Sequence, residues 1–266
     1  FRKRVMRRSV SGGWRLFFLF APGALASGAW AQQLLMTDDT WTQDAGNHQL
    51  ELSLHRERAR AGGETERARL ARAIYSYGLT TAFDVFVGGE YTRVRAPWGG
   101  ASGFGTAWAG VKWRFFEDED SGLGLAIRPE IWFPVGEREE AGGLGVGRVS
   151  GGLTLILTQK TPFGKLHVNA GVDRERYRDS AENATVRRFS LAPVWEISEK
   201  WQLALDLGVD LIRSGGDTAR RKFGEISVIY APDEDIELSL AWIRAREGGR
   251  PGANERGLAA GVTFWF

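Results

Sequence analysis

From residue 48 onward the chain alternates. In QLELSLH, Leu50, Leu52 and Leu54 take every second position, with Gln49, Glu51 and Ser53 between them. KLHVNAGVD repeats the pattern with Leu166, Val168, Ala170 and Val172, and WQLALDLGVDL with Leu203, Leu205, Leu207, Val209 and Leu211. DIELSLAW places Ile236, Leu238, Leu240 and Trp242 in one row, and the last stretch, GLAAGVTFWF, does so with Leu258, Ala260, Val262, Phe264 and Phe266. A period of two is that of a strand whose faces meet different surroundings. Twelve segments read this way: 48–59, 65–77, 82–95, 105–116, 122–134, 146–159, 165–177, 185–197, 201–213, 220–231, 235–246 and 256–266. They are about twice the usual strand length of roughly 5–6 residues.

Two kinds of connection separate the segments. Short acidic or Gly/Pro turns (EDEDSG, KTPFG, ISEK, APDED) alternate with longer polar and Gly-rich ones (RAPWGGASGFG, GEREEAGGLGVG, RDSAENAT, RSGGDTARR, REGGRPGANERG). Long alternating strands with short turns on one side and longer loops on the other predict a transmembrane antiparallel up-and-down β-barrel of about 12 strands. Hydrocarbon satisfies no backbone N–H or C=O, so a sheet that crosses it must close on itself. An even strand count puts both ends of the barrel on one side. Trp113, Trp195, Trp201, Trp242 and Trp265 fall toward segment ends, where aromatic girdles sit at the two membrane interfaces.

The first 31 residues change the picture twice. They read as a basic region, an apolar run LFFLFAPGALA and an A-x-A site at Ala29-Trp30-Ala31, which predicts a signal peptide cleaved after Ala31 and export to a bacterial outer membrane. They also hold six of the chain's 35 basic residues and none of its 33 acidic ones, so the remainder carries a net charge of −4. The basic pI therefore belongs to the leader, and no nucleic-acid partner is expected. The predicted division is residues 1–31 as signal peptide, 32–47 as a periplasmic, plug-like segment and 48–266 as the barrel. The chain has no cysteine, which excludes disulfides and thiolate metal sites.

With apolar rows facing outer-membrane lipid, the other row faces the lumen. On the first three strands this places Glu51, Asp84 and Glu90 inside, and on the next three Lys112, Arg114, Arg128, Glu130 and Arg148. Further along come His167, Asp173, Arg188 and Glu196, then Asp206, Asp210, Glu225 and Glu237. Both signs occur on many strands. This predicts a salt-bridged, hydrated interior rather than a single-sign ring that selects ions.

Other chemistry finds little support. The only histidines are His48, His55 and His167, and no serine has a nucleophile context, so no catalytic residues are assigned. No zinc spacing exists and no cofactor motif is complete, since GLGVGRVSGG lacks the strand-to-helix setting of a nucleotide loop.

The closing strand resembles the C-terminal sorting signal of bacterial outer-membrane barrels, with Phe264 and Phe266 in its outward row. That resemblance implies the barrel-assembly machinery as a partner. Three longer stretches carry a family resemblance: LLMTDDTWTQDAGNHQLEL, YGLTTAFDVFVGGEY, and WRFFEDEDSGLGLAIRPEIWFPVGEREEAGGLGVGRVSGGLTLIL. Together they resemble the outer-membrane proteins grouped as a MetA pathway of phenol degradation, most specifically in the TDDT start and the FPVGE…GLGVG block. One departure is Trp41, where that family carries Gly after the second Thr of the start motif. The resemblance implies a non-enzymatic channel or transporter for a small-molecule permeant, aromatic or hydrophobic in class. The dense mixed charge leaves a closed structural or surface-exposed barrel as the alternative. An outer-membrane hydrolase is the remaining one.

Overall fold

The computed structural model describes residues 34–97, 99–248 and 252–266; the leader read from the sequence lies outside them. Almost everything described is strand: β1 (His48–Ala61), β2 (Glu64–Thr80), β3 (Phe83–Ala96), β4 (Gly99–Phe104), β5 (Trp108–Asp118), β6 (Leu123–Trp132), β7 (Ser150–Thr161), β8 (Gly164–Glu175), β9 (Ala184–Glu196), β10 (Trp201–Ser214), β11 (Asp217–Tyr230), β12 (Ile236–Gly248) and β13 (Asn254–Trp265). One helical turn, α1 (Glu137–Ala141), sits between β6 and β7. Neighbouring strands pair antiparallel, β13 returns to β1 with Leu52 opposite Val262, and twelve strands close the ring.

The thirteenth strand is a finding beyond the sequence pattern. β4 pairs with the top of β3, from Tyr91↔Phe104 to Ala96↔Gly99, while β5 takes the lower part, from Phe83↔Trp113 to Gly88↔Trp108. The two make one crossing of the wall, interrupted at residues 105–107. Gly105 has no room for a side chain there, since a Cβ would lie 2.6 Å from the Leu144 carbonyl oxygen.

The alternation resolves as expected. Leu203, Leu207 and Leu211 face outward and exposed, whereas Asp206 and Asp210 on the same strand are 0% exposed. On β10 the outward row is apolar from Trp201 to Leu211. At ~3.3 Å per residue and a tilt of ~40° this spans roughly 25 Å, the height of a barrel's lipid-facing band. Aromatic pairs ring the end that carries the C-terminus: Trp201–Tyr230 with centroids 4.5 Å apart, Phe163–Trp195 at 5.7 Å and His48–Phe266 stacked at 5.3 Å. Trp242 differs from expectation. It faces outward in mid-strand, opposite Leu258, because β12 runs on to Gly248 beyond the apolar band.

The same extension explains two loops that turn out to be strand. RSGGDTARR and RAPWGGASGFG read as long connections, yet β10 and β11 stay paired up to Ser214↔Asp217, and β3 and β4 up to Ala96↔Gly99. Above the membrane both faces of a hairpin meet water, so alternation fades while backbone pairing persists. Gly215 and Gly216, at φ 57° and 88°, supply the two positive dihedrals of a two-residue turn that matches strand twist.

Leu205→Arg would put a charge on the lipid-facing row. It is expected to cost about 2–4 kcal/mol in refolding titrations into phospholipid vesicles; a cost under about 1 kcal/mol would remove Leu205 from the membrane.

Candidate functional site

The inward row forms the candidate site. Of the predicted residues, Asp84, Glu90, Lys112, Arg128, His167, Asp173, Arg188, Asp206, Asp210, Glu225 and Glu237 are buried, and Glu51 and Glu130 are half-buried on the same face. Arg114 has inward parity but stands at the rim, where it donates to the Thr81 carbonyl at 2.7 Å and pairs with Glu117 at 3.2 Å. Two placements are corrected. Glu196 ends β9, and its carboxylate stands nearly half-exposed at the rim, 3.9 Å from Lys165. Arg148 precedes β7 rather than belonging to it, and its exposed guanidinium donates to the Arg178 carbonyl at 3.4 Å. β7 begins two residues after Arg148, so parity does not reach it, whereas Glu196 is the last residue of β9, at the rim, where water rather than the lumen surrounds its carboxylate.

The N-terminal segment enters this interior. Leu34 to Asp38 are buried, as are Thr40, Thr42 and Gln43. Thr37 donates its N–H and its hydroxyl to the two oxygens of Asp206, both at 2.7 Å. Asp38 lies between Lys112 at 2.9 Å and Arg128 at 3.4 Å, and Asp39 is 3.5 Å from Lys112. With its amide turned to suit both partners, Asn169 accepts from Asp38 N–H at 2.7 Å and donates to its carbonyl at 2.9 Å. Thr40 N–H donates to the Thr158 hydroxyl at 3.0 Å, which lies 2.9 Å from His167, and Gln43 N–H donates to Asp84 at 3.0 Å. The DD pair of TDDT thus supplies the counter-charge for two buried cations on the wall.

From the opposite end, the segment 133–149 folds inward. Its Leu144 and Val146 are buried, and Val146 N–H donates to the Thr106 hydroxyl at 3.1 Å. Glu140 at the C-terminal side of α1 is ion-paired with Arg178. Val146 joins Leu34, Met36, Ile74, Phe86, Trp108, Trp132 and Phe223 in an apolar cluster inside the barrel. These inward aromatic wall residues are not among the charged positions expected to line the lumen. Parity carried the signal: Phe86 shares its row with Asp84 and Glu90, Trp132 with Arg128 and Glu130, Phe223 with Arg221 and Glu225.

A second ionic chain crosses the wall nearer the loop end. Arg188 meets Asp210 at 2.7 Å, Asp210 meets Arg221 at 3.0 Å, and Arg221 meets Glu255 at 2.8 Å. Arg72 donates to Glu90 at 3.0 Å. Acids remain in excess: Glu57, Glu175, Glu225 and Glu237 each keep one buried carboxylate oxygen without a hydrogen-bond partner in the protein. Such atoms need water or a proton. A vestibule of about 740 Å³, lined by Trp41, Lys165, His167 and Phe266 among others, opens at the end that carries the C-terminus. Between the N-terminal segment and the wall, the gap bounded by Gln43, Gln49, Asp84 and Lys112 holds only about 20 Å³, room for about one water.

A closed barrel with an apolar outer band and an ionic interior defines the class: an outer-membrane β-barrel protein. Residues 37–252 match the family described as "Putative MetA-pathway of phenol degradation", and the chain belongs to that family. The match begins at Thr37, the first residue of the TDDT stretch that is seated in the lumen. Solved structures share the fold. An outer membrane channel from Pseudomonas putida F1 is similar at 16% identity and TM-score 0.67, covering 86% of this chain and 98% of its own. The NanC porin follows at 13% identity and TM-score 0.57, covering 80% and 98%. The beta domain of the Bordetella autotransporter BrkA is similar at 15% identity and TM-score 0.54, covering 84% and 100%. No curated protein matches the chain.

Asp38→Ala would leave Lys112 and Arg128 buried without their shared carboxylate. A loss of about 3–5 kcal/mol is expected in denaturant unfolding of the detergent-folded protein. Adding Lys112→Met to Asp38→Ala should recover part of it; no recovery would detach the two residues energetically.

Proposed function

We propose that the chain is a passive outer-membrane channel for small aromatic or otherwise apolar molecules, held shut at rest by its own N-terminal segment. The supporting observation is how residues 37–43 are attached. They join the wall through side-chain bonds to Asp206, Thr158 and Asp84 and through the Asp38 ion pairs, not as a paired strand. Such contacts break one by one, whereas a strand in a closed barrel does not leave it. The family's description supports an aromatic permeant. By the rule that short turns face the periplasm, the end that carries the C-terminus is periplasmic, and the segment enters from there.

The wall supports an apolar route as well. β4 pairs with β3 alone, and Glu139, Gly142 and Leu144 of the 133–149 segment lie against it at Ala101 and Gly103. Exposed Phe104, Tyr91 and Phe133 surround this seam, with Tyr91 and Phe104 in edge contact at 5.5 Å. Hydrolysis has less support: His167 is bound to Thr158 and His55 to Ser53, and both rings are buried among lumen charges.

Two measurements test the reading. The intact protein in a planar bilayer is expected to be nearly silent, and deletion of residues 34–43 to produce steady unit conductance. Silence after deletion, from protein shown to be folded, would favour the closed structural barrel. Separately, a side chain at Gly142 would meet the Ala101 methyl at 2.7 Å, close enough for a disulfide after a small shift. Oxidised Ala101→Cys/Gly142→Cys is expected to slow uptake of a phenol-sized solute into proteoliposomes several-fold, with reduction restoring it. Unchanged uptake would confine passage to the lumen axis.

A further inference from the structure

The outward face is apolar only up to a sharp line, above which it becomes basic. On five adjacent strands the residue two positions beyond the last apolar outward residue is an arginine: Arg244 follows Trp242, Arg256 precedes Leu258, Arg56 follows Leu54, Arg69 precedes Ala71, and Arg93 follows Tyr91. All are exposed. Strand register then sets arginines directly opposite one another. Arg244 faces Arg256, Arg256 faces Arg58, Arg58 faces Arg67, and Arg67 faces Arg95. This continuous row crosses β12, β13, β1, β2 and β3. At ~4.8 Å between strands it is roughly 19 Å long.

Like charges directly opposite in a sheet repel and destabilise it. Acids that could relieve the repulsion are nearby in sequence, but parity sends Glu57, Glu66 and Glu255 to the other face of the wall. None of the row's arginines forms an ion pair with an acid among the described residues. Farther round the same rim, Arg148, Arg174, Arg176, Arg178 and Arg213 line a groove of about 920 Å³ that has no acid among its lining residues. The acidic turns, EDED at 117–120 and DED at 233–235, lie at the opposite end of the barrel.

We propose that this arginine row is a binding surface for the phosphorylated glycolipid of the outer leaflet, of the lipopolysaccharide type. Its place supports this partner: the row stands at the upper edge of the lipid-facing band, where the phosphates of a lipid lie while its acyl chains cover the leucines below. Guanidinium forks match phosphate oxygens, and a polyanion lying across five strands converts mutual repulsion into a shared counter-charge. The assignment of this end as the extracellular one rests on the orientation given above, but binding of the lipid to the isolated protein does not.

The test uses the full chain folded in detergent, titrated with bisphosphorylated hexa-acyl lipid A, with the same lipid stripped of phosphate, and with inorganic phosphate. Retained lipid is read by native mass spectrometry and the melting temperature in parallel. Bisphosphorylated lipid A is expected to be retained and to raise the melting temperature, and Arg58→Gln/Arg67→Gln/Arg256→Gln to bind it about 100-fold more weakly, from roughly fivefold per arginine. The same three positions changed to lysine should lose far less. Without lipid, the glutamine variant should melt no lower than the parent, because repulsion is relieved. Equal retention of the phosphate-free lipid would overturn the proposal, as would full competition by millimolar inorganic phosphate or undiminished binding by the glutamine variant. Should that variant not fold, the comparison of the two lipids on the parent protein decides.

Discussion

Every backbone N–H and C=O of a strand that faces hydrocarbon has to be bonded within the sheet, and the rest of this protein follows from that constraint. It requires the ring to close, and β1 meets β13 along its length to do so, from Gln49↔Trp265 to Arg60↔Asn254. The outward rows must then be apolar, and the polar residues of each strand are left facing inward. The aromatic terminus is at home in this arrangement. Phe266 exchanges backbone hydrogen bonds with His48 and stacks on its ring, so the chain end completes the seam of the barrel.

Closure creates a second problem, since a narrow barrel with charged walls has to settle those charges. Here the interior is filled from both ends. The N-terminal segment brings Asp38 and Asp39 to Lys112, while residues 133–149 bring Val146 to the aromatic residues of the inner wall. Buried ion pairs add little net stability over apolar packing, but removing one partner is costly. Under the proposed function, that asymmetry suits a segment that leaves only rarely. The same closure that sorts charge inward also leaves a basic rim outside, because the inward acids Glu57, Glu66, Glu175 and Glu255 near the loop end each have an outward arginine beside them in sequence.

Period-two alternation made the strands, their number and the two faces legible. It is a local property, and lipid enforces it residue by residue. Legibility failed where lipid no longer touches the wall. Residues 213–221 lost their alternation but kept their pairing, so a hairpin tip looked like a loop, and the interruption between β4 and β5 left no trace in the pattern. Arg148 and Glu196 differ from expectation for a related reason: parity holds only while the strand continues, which it does not at Arg148, and does not say where the wall ends, which it does at Glu196. The inward aromatic residues Phe86, Trp132 and Phe223 could have been found from their rows, since each shares parity with acknowledged lumen charges.

The sequence by itself determined that this chain forms a closed membrane barrel and which row of each strand faces out and which faces in, because those properties follow from neighbours one and two positions apart. Only the tertiary structure decided that Asp38 lands between Lys112 and Arg128, 74 and 90 residues away in the chain. Only it showed that Val146 of the loop joins the apolar cluster in the lumen, and that arginines from five strands align in one row. Those outcomes depend on the register between strands and on what enters the interior. Neither is encoded in the periodicity of any single segment.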